Sequence, residues 1–165
     1  MKTKTQKIVM ASLLAALCCV ATMIIKIPSP LKGYLNLGDC VVLLSGWLLS
    51  PAYGFAAAGI GSALADIFSG YIVYAPATFV IKGIMAIIAH FFFKGMLGKL
   101  GKTPSRIIGG ALAETEMILG YFVFEGFMYG FTPSVLNIPA NAAQGVAGLI
   151  IGIILVRIFD KTKMF

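Results

Sequence analysis

Six apolar stretches fill nearly the whole of this 165-residue chain, and ionisable residues interrupt them at only a few points: Asp66, Lys82, His90, Glu114, Glu116 and Glu125. A charged side chain at bilayer depth costs about 2.5 to 3.5 kcal/mol even on a lenient insertion scale, so such residues face a partner, water or a ligand. Only 12% of the residues are charged and 59% are hydrophobic, whereas soluble domains carry roughly 25% charged residues. With a mean hydropathy of +0.97, the composition predicts an all-α integral membrane protein. About six helices of roughly 20 residues would use up the chain and leave no length for a soluble enzymatic domain. Residues 1–165 are therefore expected to form a single membrane domain, a compact six-transmembrane-helix bundle.

The net charge of +7 raises nucleic acid as a partner, but the positions of the cations argue against it. Ten of the thirteen lie at the two ends or in one hydrophilic loop: Lys2, Lys4 and Lys7; Lys94, Lys99, Lys102 and Arg106; Arg157, Lys161 and Lys163. With an even number of spans these three groups share one face, and Lys26 and Lys32 lie opposite. The positive-inside rule then places both termini in the cytoplasm of a cell with this protein in its plasma membrane. Cys18, Cys19 and Cys40 show no metal-like or redox spacing and read as small packing residues. The basic start followed by an apolar run has the look of a signal peptide, yet no clear cleavage site follows, so the first span is expected to stay.

The spans are expected at about Ile8 to Ile25, Leu37 to Ser50, Tyr53 to Ser69, Pro76 to Phe93, Arg106 to Phe131 and Pro133 to Ile158. Pro28 and Pro30 close the first, and the second is short for a crossing. Residues Gly70 to Ala75 form a brief outer loop, and Lys94 to Ser105 a cytoplasmic one. Small residues recur at helix-contact spacing: Ala11 and Ala15; Ala57, Gly61 and Ala65; Gly148 and Gly152. Such faces let backbones approach closely, either within the bundle or against a partner. No internal repeat is evident, which weakens an inverted-repeat transporter architecture.

On this topology Asp66, Lys82 and Glu125 all fall in the outer half. Asn137, Asn141 and Gln144 follow i, i+4, i+7 spacing and line one stripe of the last span, and Tyr121, Glu125 and Tyr129 line another on the fifth. Tyr34, Asn36, Asp39, Tyr71 and Tyr74 surround the same end. Aromatic residues with a few convergent polar groups are the usual anatomy of a small-molecule site. The plainer alternatives are an ion pair between Lys82 and Asp66 or Glu125, an interfacial belt of tyrosines, and asparagines that bond neighbouring helices. Asp39 reads more simply as a solvated helix N-cap. His90 has no metal-ligand company, and Glu114 and Glu116, two apart, point to different helix faces, so no metal, cofactor or paired catalytic site is expected.

Four runs carry a family likeness: Ile25-Lys26-Ile27-Pro28, Gly33-Tyr34-Leu35-Asn36-Leu37-Gly38-Asp39, Gly59 to Asp66, and Gly70-Tyr71-Ile72-Val73-Tyr74-Ala75-Pro76 to Lys82-Gly83. Together they resemble the substrate-binding S components of energy-coupling-factor (ECF) vitamin transporters, closest to the branch assigned to hydroxymethylpyrimidine and pyridoxine. The resemblance implies a subunit that captures a vitamin from outside and works with a membrane coupling subunit and two cytoplasmic ATPases. It also implies a lid between the first two spans, Pro28 to Asn36, and a docking face for the coupling subunit at Ala11 and Ala15. The chain has no complete G-x-x-x-x-G-K-[ST] phosphate loop, so ATP energy would come from another chain.

The substrate site is accordingly expected at Tyr34, Asn36, Asp66, Tyr74, Lys82, Tyr121, Glu125, Asn137 and Asn141, with a pyrimidine or pyridine ring stacked on tyrosine. Two other classes stand beside this reading. A standalone ion-coupled transporter would use Asp66, Lys82 and Glu125 as a relay. A small membrane enzyme acting on lipid-linked substrates would need clustered carboxylates or a nucleophile beside a base, and only Glu114 and Glu116 lie close together.

Overall fold

The computed structural model describes residues 3–29 and 33–161, so Lys2, Lys32 and Lys163 and the middle of the expected lid, residues 30–32, lie outside the described residues. Helix α1, Lys4–Ile24, opens on a capping box in which the Thr3 hydroxyl accepts from the Gln6 amide and the Gln6 side chain accepts from the Thr3 amide. It buries only Ala11, Leu14, Cys18 and Thr22. That narrow stripe at three- and four-residue spacing leaves the rest of α1 to lipid. A two-residue hairpin follows, β1 Ile27–Pro28 antiparallel to β2 Tyr34–Leu35, with Ile27 opposite Leu35.

Helix α2, Asp39–Leu48, is buried on all sides from Asp39 to Trp47. A helix of 10 residues rises about 15 Å, half a hydrocarbon core, and one apolar all round belongs in the middle of a bundle. Helices α1, α3, Pro51–Phe68, and α4, Ala75–Leu100, pack against it, and α5, Lys102–Tyr129, packs chiefly on α4. The chain then turns through α6, Phe131–Ser134, and a 3₁₀ turn, Val135–Asn137, into α7, Ile138–Lys161. Six helices of ten residues or more thus build the described bundle. Among the described residues, four helical stretches, Lys4–Ile24, Ala75–Leu100, Lys102–Tyr129 and Phe131–Lys161, are long and apolar enough to cross a bilayer. Their outer faces carry bare hydrophobic side chains, with Phe127 80% and Ile24 73% exposed, as acyl-chain contact requires.

Small residues set the helix spacing. A Cβ on Gly61 would stand 2.4 Å from the Ala15 carbonyl oxygen, and one on Gly148 would stand 2.7 Å from the Asp39 Cβ. The first contact brings α3 against α1 and the second brings α7 against α2, so part of the small-residue pattern serves packing inside the bundle.

Three sequence expectations are corrected. The segment from Lys94 to Ser105, expected as a loop, is almost entirely helical: α4 continues to Leu100, α5 begins at Lys102, and Gly101 alone breaks the run at φ +79°. Lysine, leucine and methionine are good helix formers, so the hydrophilic stretch extends both helices past the apolar layer instead of ending them. The helix expected as the fifth span closes at Gly130, φ +95°, and the one expected as the sixth begins as α6 and a 3₁₀ turn before α7 starts at Ile138. Asp39 is no solvated cap: Gly38 holds the N-cap position, and Asp39 is fully buried.

Candidate functional site

The polar end of the bundle is the one to which α1 leads and at which α7 begins. Tyr34 from β2, Asn36, Asp66 from α3, Tyr74 at the head of α4, Tyr121 and Glu125 from α5, and Asn141 from α7 converge on a single cleft. These are seven of the nine residues expected at the substrate site. The cleft holds about 400 Å³ of empty space counting its open mouth, of which about 30 Å³ admits the centre of a water-sized group. Ser29, Gly33, Tyr71, Thr78 and Gln144 complete its walls.

One wall is aromatic. The Tyr34 and Tyr71 ring centres lie 4.6 Å apart, those of Tyr71 and Tyr74 6.4 Å, and those of Tyr74 and Phe124 5.2 Å. Two carboxyls face this wall. The Tyr34 hydroxyl donates to Asp66 Oδ1 at 2.6 Å, which draws the hairpin down onto α3. Burial first, then the adjacent Asp66 carboxylate, push the Tyr34 hydroxyl above its ordinary range, so it remains a donor at physiological pH. Glu125 Oε1 accepts from Asn137 Nδ2 at 2.7 Å and from the Tyr74 hydroxyl at 3.3 Å. Thr78 and Tyr121 share a hydrogen bond of 3.0 Å between their hydroxyls.

The remaining two expected residues stand behind the cleft. Asn137 orients Glu125. Lys82 pairs with Asp39, both almost fully buried, and not with Asp66 or Glu125. Its ammonium also sits 5.5 Å from the Tyr121 ring centre, so the ion pair lies under the floor of the cleft. Gln144 connects this pair to the mouth: its Nε2 donates to Asp39 Oδ2 at 2.7 Å, and its Oε1 accepts from the Asn36 backbone amide at 2.9 Å. Asn36 in turn accepts from the Gly38 amide at 2.8 Å. The helical stripe through Asn137, Asn141 and Gln144 signalled Gln144, whereas no local pattern signals the burial of Asp39.

Other singled-out residues lie elsewhere. His90 Nδ1 is 3.0 Å from the Gly46 carbonyl oxygen and ties α4 to α2. Glu114 is buried between α5 and α7, where a Cβ on Gly145 would stand 3.0 Å from its Oε2; Glu116 is only partly buried. Among the described residues no group of three His, Cys, Asp or Glu side chains has metal-ligand geometry. At the far end, Arg106 grips Asp160 with two hydrogen bonds of 2.6 and 3.1 Å, joining the start of α5 to the end of α7. Ala11 and Ala15 line an apolar groove of about 570 Å³ between α1 and α3.

Comparison with known proteins agrees with this architecture. The family profile of the ECF-type riboflavin transporter S component matches residues 2–161. A protein of Pyrococcus woesei, described as an uncharacterized protein in the gap 3' region, is 39% identical over 134 residues, covering 81% of this chain and 87% of its own. A solved structure described as the structure and mechanism of the S component of a bacterial ECF transporter superposes with a TM-score of 0.79 at 25% identity, covering 99% of this chain and 100% of the other. Helices that cross a membrane, a polar cleft roofed by the first hairpin and a match along nearly the full length lead to one conclusion: this chain belongs to the ECF-type riboflavin transporter S component family, membrane proteins that bind a transport substrate and are not enzymes.

Proposed function

We propose that this S component captures a water-soluble ring vitamin in the cleft between Tyr34 and Glu125 and passes it on through a coupling subunit driven by two cytoplasmic ATPases. The observation that carries the reading is the convergence of an aromatic wall and two buried carboxyls under a hairpin pinned at Asp66. Flat rings stack on tyrosine, and carboxyls and amides select the ring's donors. The cleft opens away from Lys4, Lys7, Lys99, Lys102 and Lys161, and the positive-inside rule makes its mouth extracytoplasmic and both termini cytoplasmic.

The substrate we favour is a single ring of the hydroxymethylpyrimidine or pyridoxine kind. The likeness of the Asp66 to Lys82 segment to that branch supports it, and so does the small volume open inside the cleft. Riboflavin is the second reading, favoured by the description of the matching family; its three fused rings need more room than a single ring. Calorimetric titration of the purified protein with hydroxymethylpyrimidine, pyridoxine and riboflavin separates the two. Tight binding of a single-ring vitamin, lost in Tyr121→Ala and Glu125→Ala, is the expected result. Tightest binding by riboflavin turns the assignment to the second reading, and no binding by any of the three sinks both.

A further inference from the structure

Resting on the reading that the cleft is the substrate site, we propose that Asp66 and Glu125 make it selective for charge: it accepts a flat heteroaromatic ring that bears N–H or O–H donors and no negative charge, and it rejects the phosphate ester of the same ring. Asp66 is 5% and Glu125 2% exposed, and both line the cleft. Each spends one carboxyl oxygen on protein donors, Oδ1 on the Tyr34 hydroxyl and Oε1 on Asn137 and Tyr74. Asp66 Oδ2 and Glu125 Oε2 are buried and accept no hydrogen bond. A buried acceptor without a donor is costly, so the complement of this wall is a ligand that brings its own donors.

The described residues bring no positive charge to the place where an anion would need it. Among the described residues no lysine or arginine lines the cleft. Lys82 is beneath the floor and committed to Asp39, and Lys26 donates to Ser69 Oγ at 3.1 Å. The face of a tyrosine ring is negative, so a ligand stacked on this wall is favoured as a neutral or positive ring over an anion. A phosphate entering this chamber would lose its water against two carboxyl groups with no cation from the described residues in return, and a desolvated anion facing carboxyls is disfavoured.

The test is equilibrium binding to the full-length protein in nanodiscs, using three pairs of probes: hydroxymethylpyrimidine, pyridoxine and riboflavin, each against its own monophosphate. The parent that binds is expected to bind about tenfold or more tighter than its ester, the penalty for placing like charges together. In Asp66→Asn or Glu125→Gln, measured separately, that ratio is expected to shrink toward unity. An ester that binds as tightly as its parent overturns the inference and leaves the vitamin reading standing. A ratio unchanged in both folded variants also overturns it, since the discrimination then comes from shape. If no parent and no ester binds, the inference falls together with the reading beneath it.

Discussion

Lys82 puts a cation 3% exposed in the middle of an apolar bundle, and Asp39, fully buried, answers it from α2. Removing one partner of such a pair strands the other charge, a loss of about 3 to 5 kcal/mol. Lys82→Ala is therefore expected to lower the detergent melting temperature by many degrees, with Asp39→Leu combined with Lys82→Met recovering much of the loss. A single Lys82→Ala variant as stable as the parent would show that the pair carries no such burden. Both residues were legible in the sequence as ionisable groups near one end, but their partnership was not. It depends on residues 36–38 descending into the bundle before α2 starts, and hydropathy cannot show that a short apolar run begins at depth. Tyr34 is the converse: a tyrosine in a proline-flanked loop beside a polar end was visible as a site residue, and its bond to Asp66 gives it a measurable role. Tyr34→Phe removes that 2.6 Å hydrogen bond, worth about 1.5 to 3 kcal/mol when one partner is charged. Faster amide exchange around residues 33–36 and faster release of bound vitamin are expected, and unaltered exchange would rule out a pinning role.

Among the elements, the long apolar helices were legible because their runs exceed the thickness of a bilayer, and their ends were not. Hydrophilicity between Lys94 and Ser105 reads as a loop, yet charge ends a helix only where the backbone also breaks, and here that happens at Gly101 alone. The small-residue pattern was legible as close contact without revealing which face met which. Two glycine substitutions separate contact from mere presence. In Gly148→Ala the new methyl meets Asp39 Cβ at 2.7 Å, and overpacking of this kind costs about 1 to 3 kcal/mol. Gly95 lies inside α4, and a Cβ there would meet nothing within 4 Å, so Gly95→Ala is expected to stabilise by about 0.5 to 1 kcal/mol through helix propensity. Thermal unfolding of the two variants should move in opposite directions, and equal shifts would mean that the α2 to α7 contact yields more easily than its geometry suggests.

Taken as a whole molecule, the protein has two unlike concave surfaces: a polar cleft roofed by the hairpin, and an apolar groove of about 570 Å³ along α1 and α3. Ser12 and Ala16 on the groove are exposed and Ala15 is half-buried, while Gly61 already packs against the Ala15 backbone. The stripe thus packs the bundle with one edge and leaves the other open. In lipid, a smooth concave face gains most from a close-fitting helix, because packing and not hydrophobicity drives association there. If the coupling subunit docks in this groove, bulk placed at its open edge should separate two activities that share one chain. Ala16→Leu changes an exposed position remote from the cleft, so vitamin affinity and melting temperature are expected to stay within experimental error of the parent. Uptake into cells that also supply the coupling subunit and ATPases is expected to fall severalfold, with a further loss in Ala15→Leu combined with Ala16→Leu. Co-purification of the coupling subunit on a tagged chain should fall in parallel. Full uptake by the double variant, with affinity intact, would move the docking face off α1 and leave the groove to lipid.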